Sequence, residues 1–197
     1  MALPERVGGF LIDLDGTVIE GGELIPGAAE ALTTLVQKKI PYRIVTNTTS
    51  KPRSAILAKL NALGLELQPE QVITAPIIGR DYLRRQGITR CFPLLKPSLL
   101  EDLTAIEFVE TSPQAVLIGK PAQDFFLLAC ESMGVPCETT VVIGDDLEAD
   151  VGGAKAAGCI GVLVQTGKFR PDQIEKSKIN PDAILASLAY LPSWVGD

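Results

Sequence analysis

Two aspartates separated by one leucine, Asp13-Leu14-Asp15, close an apolar run that opens at Phe10 and leads into Gly16-Thr17. A strand has a side-chain period of two, so this spacing predicts both carboxylates on one side of the strand end and Leu14 packed on the other. Carboxylates that close raise one another's pKa unless a cation balances them. The pair therefore suits a carboxylate nucleophile beside an acid/base, with Mg²⁺ between them. Gly16 permits a sharp turn directly after the pair. A plain strand ending in an Asp-Gly turn would carry the same letters, so the pair gains weight only from its partners further along the chain.

Three more apolar runs end in groups useful to phosphate transfer. Tyr42-Arg43-Ile44-Val45 ends in Thr46-Asn47, Ala115-Val116-Leu117-Ile118 ends in Gly119-Lys120, and Thr140-Val141-Val142-Ile143 ends in Gly144-Asp145-Asp146, followed by Glu148 and Asp150. In an open parallel sheet the C-terminal ends of the strands face one crevice, so the four ends are expected to converge there.

The elements between these ends alternate in the way such a sheet requires. Strands are expected at 8–13, 42–46, 91–95 and 160–164, in addition to the run before Asp145. Helices are expected from Pro26 to Lys39, from Pro52 to Gly64, at 77–86, at 122–133 and at 148–157. Strand and helix in turn favour an α/β architecture: a Rossmann-like parallel sheet with helices on both faces. The 197 residues suffice for a sizeable core.

These four ends, in this order, resemble the four motifs of the haloacid dehalogenase (HAD) superfamily of aspartate-nucleophile phosphatases. Val45-Thr46-Asn47-Thr48-Thr49, Gly144-Asp145-Asp146 with Asp150-Val151-Gly152-Gly153-Ala154, and Thr166-Gly167-Lys168-Phe169-Arg170 are similar to the NagD-like branch, which includes phospholysine phosphohistidine inorganic pyrophosphate phosphatase. The resemblance spans nearly the whole chain.

It implies a Mg-dependent phosphatase working through a covalent aspartyl-phosphate, with a role for each residue. Asp13 would attack phosphorus, and Asp15 would protonate the leaving oxygen and then take a proton from the hydrolytic water. The second aspartate favours phosphate hydrolysis over C–halogen cleavage. Thr46 and the backbone N–H of Asn47 would hold the phosphoryl oxygens, and Lys120 would offset the charge that develops on them. Mg²⁺ would sit among Asp13, the main-chain carbonyl of Asp15 and Asp145, with Asp150 supporting from behind. Asp146 has no settled role, because aspartates at a helix start also cap N–H groups.

Composition narrows the alternatives. The chain has no histidine, so Ser-His-Asp and Cys-His catalysis and histidine-zinc sites are excluded. A net charge of −6 without a basic stripe argues against nucleic acid as a partner. No apolar run approaches a membrane span, and the first strand follows Arg6 too closely for a signal peptide. Cys91, Cys130, Cys137 and Cys159 form no C-x-x-C pair, so free thiols in a cytoplasmic protein are expected. Gly119-Lys120 and Gly167-Lys168 both lack P-loop spacing. A phosphorylated receiver-type switch shares the residue types but places its acids on different strands.

The chain departs from the NagD-like pattern in one respect. In that branch a cap domain lies between the threonine and lysine motifs and selects the substrate. Here 73 residues separate Thr46 from Lys120, most of them already needed by core elements. The expectation is a single HAD-like core domain over 1–197, with the cap that would enter at 65–114 truncated. An open site would suit bulky phosphorylated substrates or a second subunit as cover, and apolar surface left by the lost cap would favour a homodimer. The alternative is a catalytically weak or inactive HAD-fold interaction module, should the splice displace Lys120.

Overall fold

The computed structural model describes residues 7–118 and 125–195. In chain order its elements are β1 (Gly9–Asp13), β2 (Ile19–Glu20), β3 (Glu23–Leu24), α1 (Ala28–Gln37), β4 (Tyr42–Thr46), α2 (Arg53–Ala62), β5 (Val72–Thr74), α3 (Ala75–Arg85), β6 (Arg90–Leu94), β7 (Glu107–Phe108), β8 (Ala115–Ile118), α4 (Phe125–Met133), β9 (Thr140–Gly144), a π-helical turn (Leu147–Gly152), α5 (Gly153–Ala156), β10 (Ile160–Val164), α6 (Pro171–Lys176), β11 (Ala183–Leu185) and α7 (Leu191–Trp194).

Because the central strands are apolar on both faces, they need cover on both sides, and they have it. Six strands form one parallel sheet in the order β11-β10-β9-β1-β4-β5. Phe10, Ile12, Ile44, Val141, Ile143 and Val162 pack on one side against Ala31, Leu32 and Leu35 of α1, Ile56 and Leu60 of α2, and Leu191 of α7. Leu11, Val45, Ile73 and Val142 pack on the other against Ile78 of α3, Phe125, Phe126 and Ala129 of α4, and Ala154 of α5. Asp13 is two residues beyond Leu11, so strand alternation turns its carboxylate toward the α4–α5 side.

Several expectations need correction. α1 starts at Ala28 instead of Pro26, because Gly27 intervenes with φ 83°. A Cβ on Gly27 would lie 2.3 Å from the Cβ of Ala189, so that backbone both turns and touches its neighbour. The segment expected as one helix at 148–157 is a π-helical turn followed by the short α5. β5 and β11, too short to read from periodicity, complete the two edges of the sheet.

The largest correction concerns β8, the strand before Lys120. It does not join the central sheet but pairs in parallel with β6 in a separate three-stranded sheet ordered β7-β6-β8. This small sheet has its own apolar contacts, with Leu83, Cys91 and Ile106 buried against Ile88, Phe108, Ala115 and Leu117. Three of the four expected strand ends therefore meet in the main crevice, on the adjacent strands β4, β1 and β9. Residues 119–124, and with them Lys120, lie outside the described residues.

Asp102 ties this second sheet to the core. It is buried, and its Oδ2 accepts the Arg53 backbone N–H at 2.8 Å, capping the start of α2 from a distant segment. Asp102→Ala leaves that donor unpaired and is expected to cost about 1–3 kcal/mol, read as a lower denaturant midpoint. An unchanged midpoint would contradict the cap. Among the described residues no helix is long and apolar enough to cross a membrane.

Candidate active site

Carboxyl oxygens of Asp13, Asp145 and Asp150 lie within 4.8 Å of one another at the C-terminal ends of β1 and β9. The backbone brings them together in three ways. Asp13 closes β1, and Asp145 directly follows β9, which pairs with β1 in a register that sets Ile12 against Ile143. Asp150 is turned inward by the π-helical turn and accepts the Asp146 N–H at 3.0 Å. Gly144 makes room for it, since a Cβ there would lie 2.2 Å from Asp150 Oδ2.

Burial and mutual repulsion act on all three acids. Desolvation, then the charges of Asp150 and Asp145, hold Asp13 well above the usual carboxylate range. Burial raises Asp145 despite the Lys168 backbone N–H that its Oδ2 accepts at 2.6 Å. Asp150 is pushed up to about 7, chiefly by burial, with Asp145 and Asp146 adding to it. Asp145 Oδ1 is buried with no hydrogen-bond partner. An unpartnered carboxylate oxygen beside two further carboxylates is a donor set for a hard divalent cation, so these residues fit Mg²⁺.

Asp146 takes the other course. Its Oδ1 accepts the N–H groups of Glu148 and Ala149 at 3.1 and 3.0 Å, and its Oδ2 pairs with Lys168 Nζ at 3.3 Å. Burial alone would raise it, but these donors together bring it below its ordinary value. Asp146 is the helix cap and lies outside the three-acid cluster.

Asp15 is near enough for its charge to help raise Asp13, but it stands beyond the strand and so is not placed by strand alternation. β1 stops at Asp13, and Asp15 is exposed in the turn after it, bridging to Ile19. It borders a different cleft of about 130 Å³ with Thr48, Ser50 and Lys51. The period-two reading fails because the chain has already left the strand. Thr46 is buried and its Oγ1 accepts the Thr48 N–H at 3.1 Å. Asn47 is exposed and, with Asp13, Asp150, Phe125, Phe126 and Lys155, lines a cavity of about 960 Å³.

Sequence alone gives the loop after β10 no role, although its Thr166-Gly167-Lys168 carries part of the resemblance. Thr166 Oγ1 donates to the Gly16 carbonyl, which clamps this loop on the turn after Asp13. A Cβ on either Gly16 or Gly167 would lie 2.0 Å from Asp145 Oδ2. The two glycines thus pinch the Asp145 carboxylate in place.

The crowded acids make stability depend on pH. A carboxyl whose pKa is higher in the folded state contributes stability that is complete below about pH 4, its unfolded value, and is lost as pH rises through the folded value. With Asp150 at about 7 and Asp13 and Asp145 also raised, the protein in EDTA is expected to melt at a higher temperature at pH 6 than at pH 8. Mg²⁺ at pH 8 should recover the difference, and a flat melting profile would contradict the carboxylate crowding.

Comparison with known proteins decides the family. A profile described as haloacid dehalogenase-like hydrolase matches residues 10–109, and a second, HAD-hydrolase-like, matches 117–191. The chain belongs to the HAD-like hydrolases. The human protein named haloacid dehalogenase-like hydrolase domain-containing protein 2 is 28% identical over 250 aligned positions, covering 96% of this chain and 95% of that one. Human phospholysine phosphohistidine inorganic pyrophosphate phosphatase is 26% identical over 249 positions, covering 93% and 92%. NagD from Escherichia coli K-12 superposes with a TM-score of 0.86 at 20% identity, covering 96% of this chain and 98% of that one. A 4-nitrophenylphosphatase from Thermotoga maritima also gives 0.86, at 24% identity, covering 95% and 97%. Alignments of about 250 positions on a chain of 197 residues leave more than fifty positions as gaps in this HAD-like hydrolase. The two profiles meet between β7 and β8, in the small sheet.

Proposed function

We propose that this chain is a Mg²⁺-dependent phosphatase that hydrolyses a phosphomonoester or related phosphoryl compound through an aspartyl-phosphate on Asp13. The observation that carries this reading is the meeting of Asp13, Asp145 and Asp150 around an unpartnered Asp145 oxygen at the crevice end of the sheet. Mg²⁺, when bound, would neutralise the acids and the incoming phosphate charge. Asp13, partly exposed at the cavity, attacks phosphorus in line. Asp15 reaches the leaving oxygen from the exposed side of the turn, donates a proton, and later accepts one from the hydrolytic water. Thr46, the Asn47 N–H and Lys120 hold and neutralise the transferred group.

The small sheet β7-β6-β8 reads as the remnant of a cap, and the rest of 1–197 as one HAD-like core domain. That leaves the cavity without a substrate-selecting lid, suited to a bulky phosphorylated substrate or to cover by a second subunit in a homodimer. The pyrophosphate and phosphoamino acid substrates in a relative's name are candidates by that similarity alone. Four free cysteines support a reducing, cytoplasmic setting.

A weak or inactive interaction module is the second reading, and one observation favours it: the strand before Lys120 has left the central sheet. Phosphate release from a small aryl phosphate separates the two. Turnover is expected with Mg²⁺ and is expected to vanish in EDTA. A folded protein with no turnover under either condition would favour the module.

A further inference from the structure

Three cysteines from successive elements meet at the opposite end of the sheet from the acids. Cys130 lies in α4, Cys137 opens a 3-10 turn before β9, and Cys159 sits directly before β10. Their sulfurs all lie within 4.8 Å of one another, and Cys130 Sγ is 3.5 Å from Cys159 Sγ. We propose that Cys130, Cys137 and Cys159 form a thiolate site for one soft d¹⁰ cation of the zinc and cadmium type, independent of the phosphatase centre.

Geometry supports an ion over simple thiol packing or a disulfide. With metal–sulfur bonds of about 2.3 Å at tetrahedral angles, the sulfurs of one site stand about 3.8 Å apart. One pair at 3.5 Å and all three sulfurs within 4.8 Å are compatible with that value. A disulfide, at about 2.05 Å, would use two sulfurs and leave the third without a role.

Backbone bonds hold the donors before any ion arrives. The Cys159 N–H donates to the Ala154 carbonyl at 2.8 Å, and the Val135 N–H donates to the Cys130 carbonyl at 3.2 Å. Thr140 Oγ1 donates to the Pro136 carbonyl at 2.8 Å, fixing the turn that carries Cys137. Cys130 and Cys159 are buried beside Phe125, Phe126, Ala129 and Ala154, whereas Cys137 is half-exposed and opens a path from solvent.

The donor chemistry is selective. Three sulfurs with no histidine in the chain disfavour Mg²⁺ and Ca²⁺, which take oxygen, and favour soft ions. Thiols ligate such an ion as thiolates, so uptake of the ion displaces their protons. Three thiolates and one divalent ion make a unit with one net negative charge. About two to three protons are released per ion.

The test is a Cd²⁺ titration of reduced full-length protein in excess Mg²⁺, which keeps the carboxylate site occupied by a hard ion. One cadmium-thiolate charge-transfer band per chain, proton release and protection of the three thiols from alkylation are expected, with Zn²⁺ displacing Cd²⁺. Cys137→Ser, at a half-exposed position that tolerates the change, should weaken binding at least about 100-fold, because even outer-shell losses cost 10- to 100-fold. Cys159→Ala, checked for folding by circular dichroism, should do the same. Absence of the band, a band that survives both substitutions, or a Cys130–Cys159 disulfide forming in air while the reduced protein takes up no metal would each overturn the site. The Mg²⁺/EDTA turnover assay reads the carboxylate centre separately, so either proposal can fail alone.

Discussion

Asp13→Asn is expected to lower aryl phosphate turnover by more than about 10⁴-fold, the scale on which losing a covalent nucleophile acts. Asn has nearly the same shape, so the strand end and its packing on the α4–α5 side are preserved. The same change removes one charge from an acidic cluster whose members raise one another's pKa. The metal-free variant should therefore be more stable than wild type at pH 8, with a higher melting temperature. Lost activity joined to gained stability distinguishes a missing nucleophile from a damaged fold. A variant retaining turnover within tenfold of wild type would exclude Asp13 as the attacking group.

Gly16→Ala should damage both properties at once. Gly16 has φ 88°, in the left-handed region where a side chain is strained, and the added methyl would lie 2.0 Å from Asp145 Oδ2 and 3.1 Å from the Gly167 Cα. Backbone closes the space on one side and a buried carboxylate on the other, so neither can yield cheaply. A loss of about 2–4 kcal/mol of stability is expected from strain and overpacking together. Turnover should fall by about 10²-fold or more, because a carboxylate misplaced by an ångström costs on that scale. Equilibrium unfolding and Mg²⁺ titration of the activity read the two effects. A variant with unchanged unfolding midpoint and Mg²⁺ dependence would show that the Gly16–Asp145–Gly167 pinch is not needed.

Much of this site is legible in the chain's own letters. β1, β4, β9 and β10 stand within a residue of where their apolar runs place them, since a buried parallel strand is written locally as consecutive apolar side chains. Strand ends point to Asp13 and Asp145, which converge because parallel strands aim those ends at one crevice, while Asp150 enters through the family resemblance and is brought in by the turn after β9. The same local logic fails just beyond the strand, where Asp15 lies in a turn with no period of two. It fails also for the segment after Asp146, because the Asp146 cap and the inward Asp150 impose a π-helical turn that propensity does not encode.

What sequence alone determined is the order of strand ends, the family resemblance they carry, and the absence of histidine that removes whole classes of chemistry. Tertiary structure alone decided which strands pair, and so moved β8 to a separate sheet with β6 and β7. It also decided which side chains touch: Asp102 on the first turn of α2, Thr166 on the Gly16 carbonyl, and three thiols at the end of the sheet opposite the acids. The division has one physical cause. Strand and helix periods arise from neighbours in the chain, whereas pairing and side-chain convergence are set by the competition of all apolar faces for burial, which no local window contains.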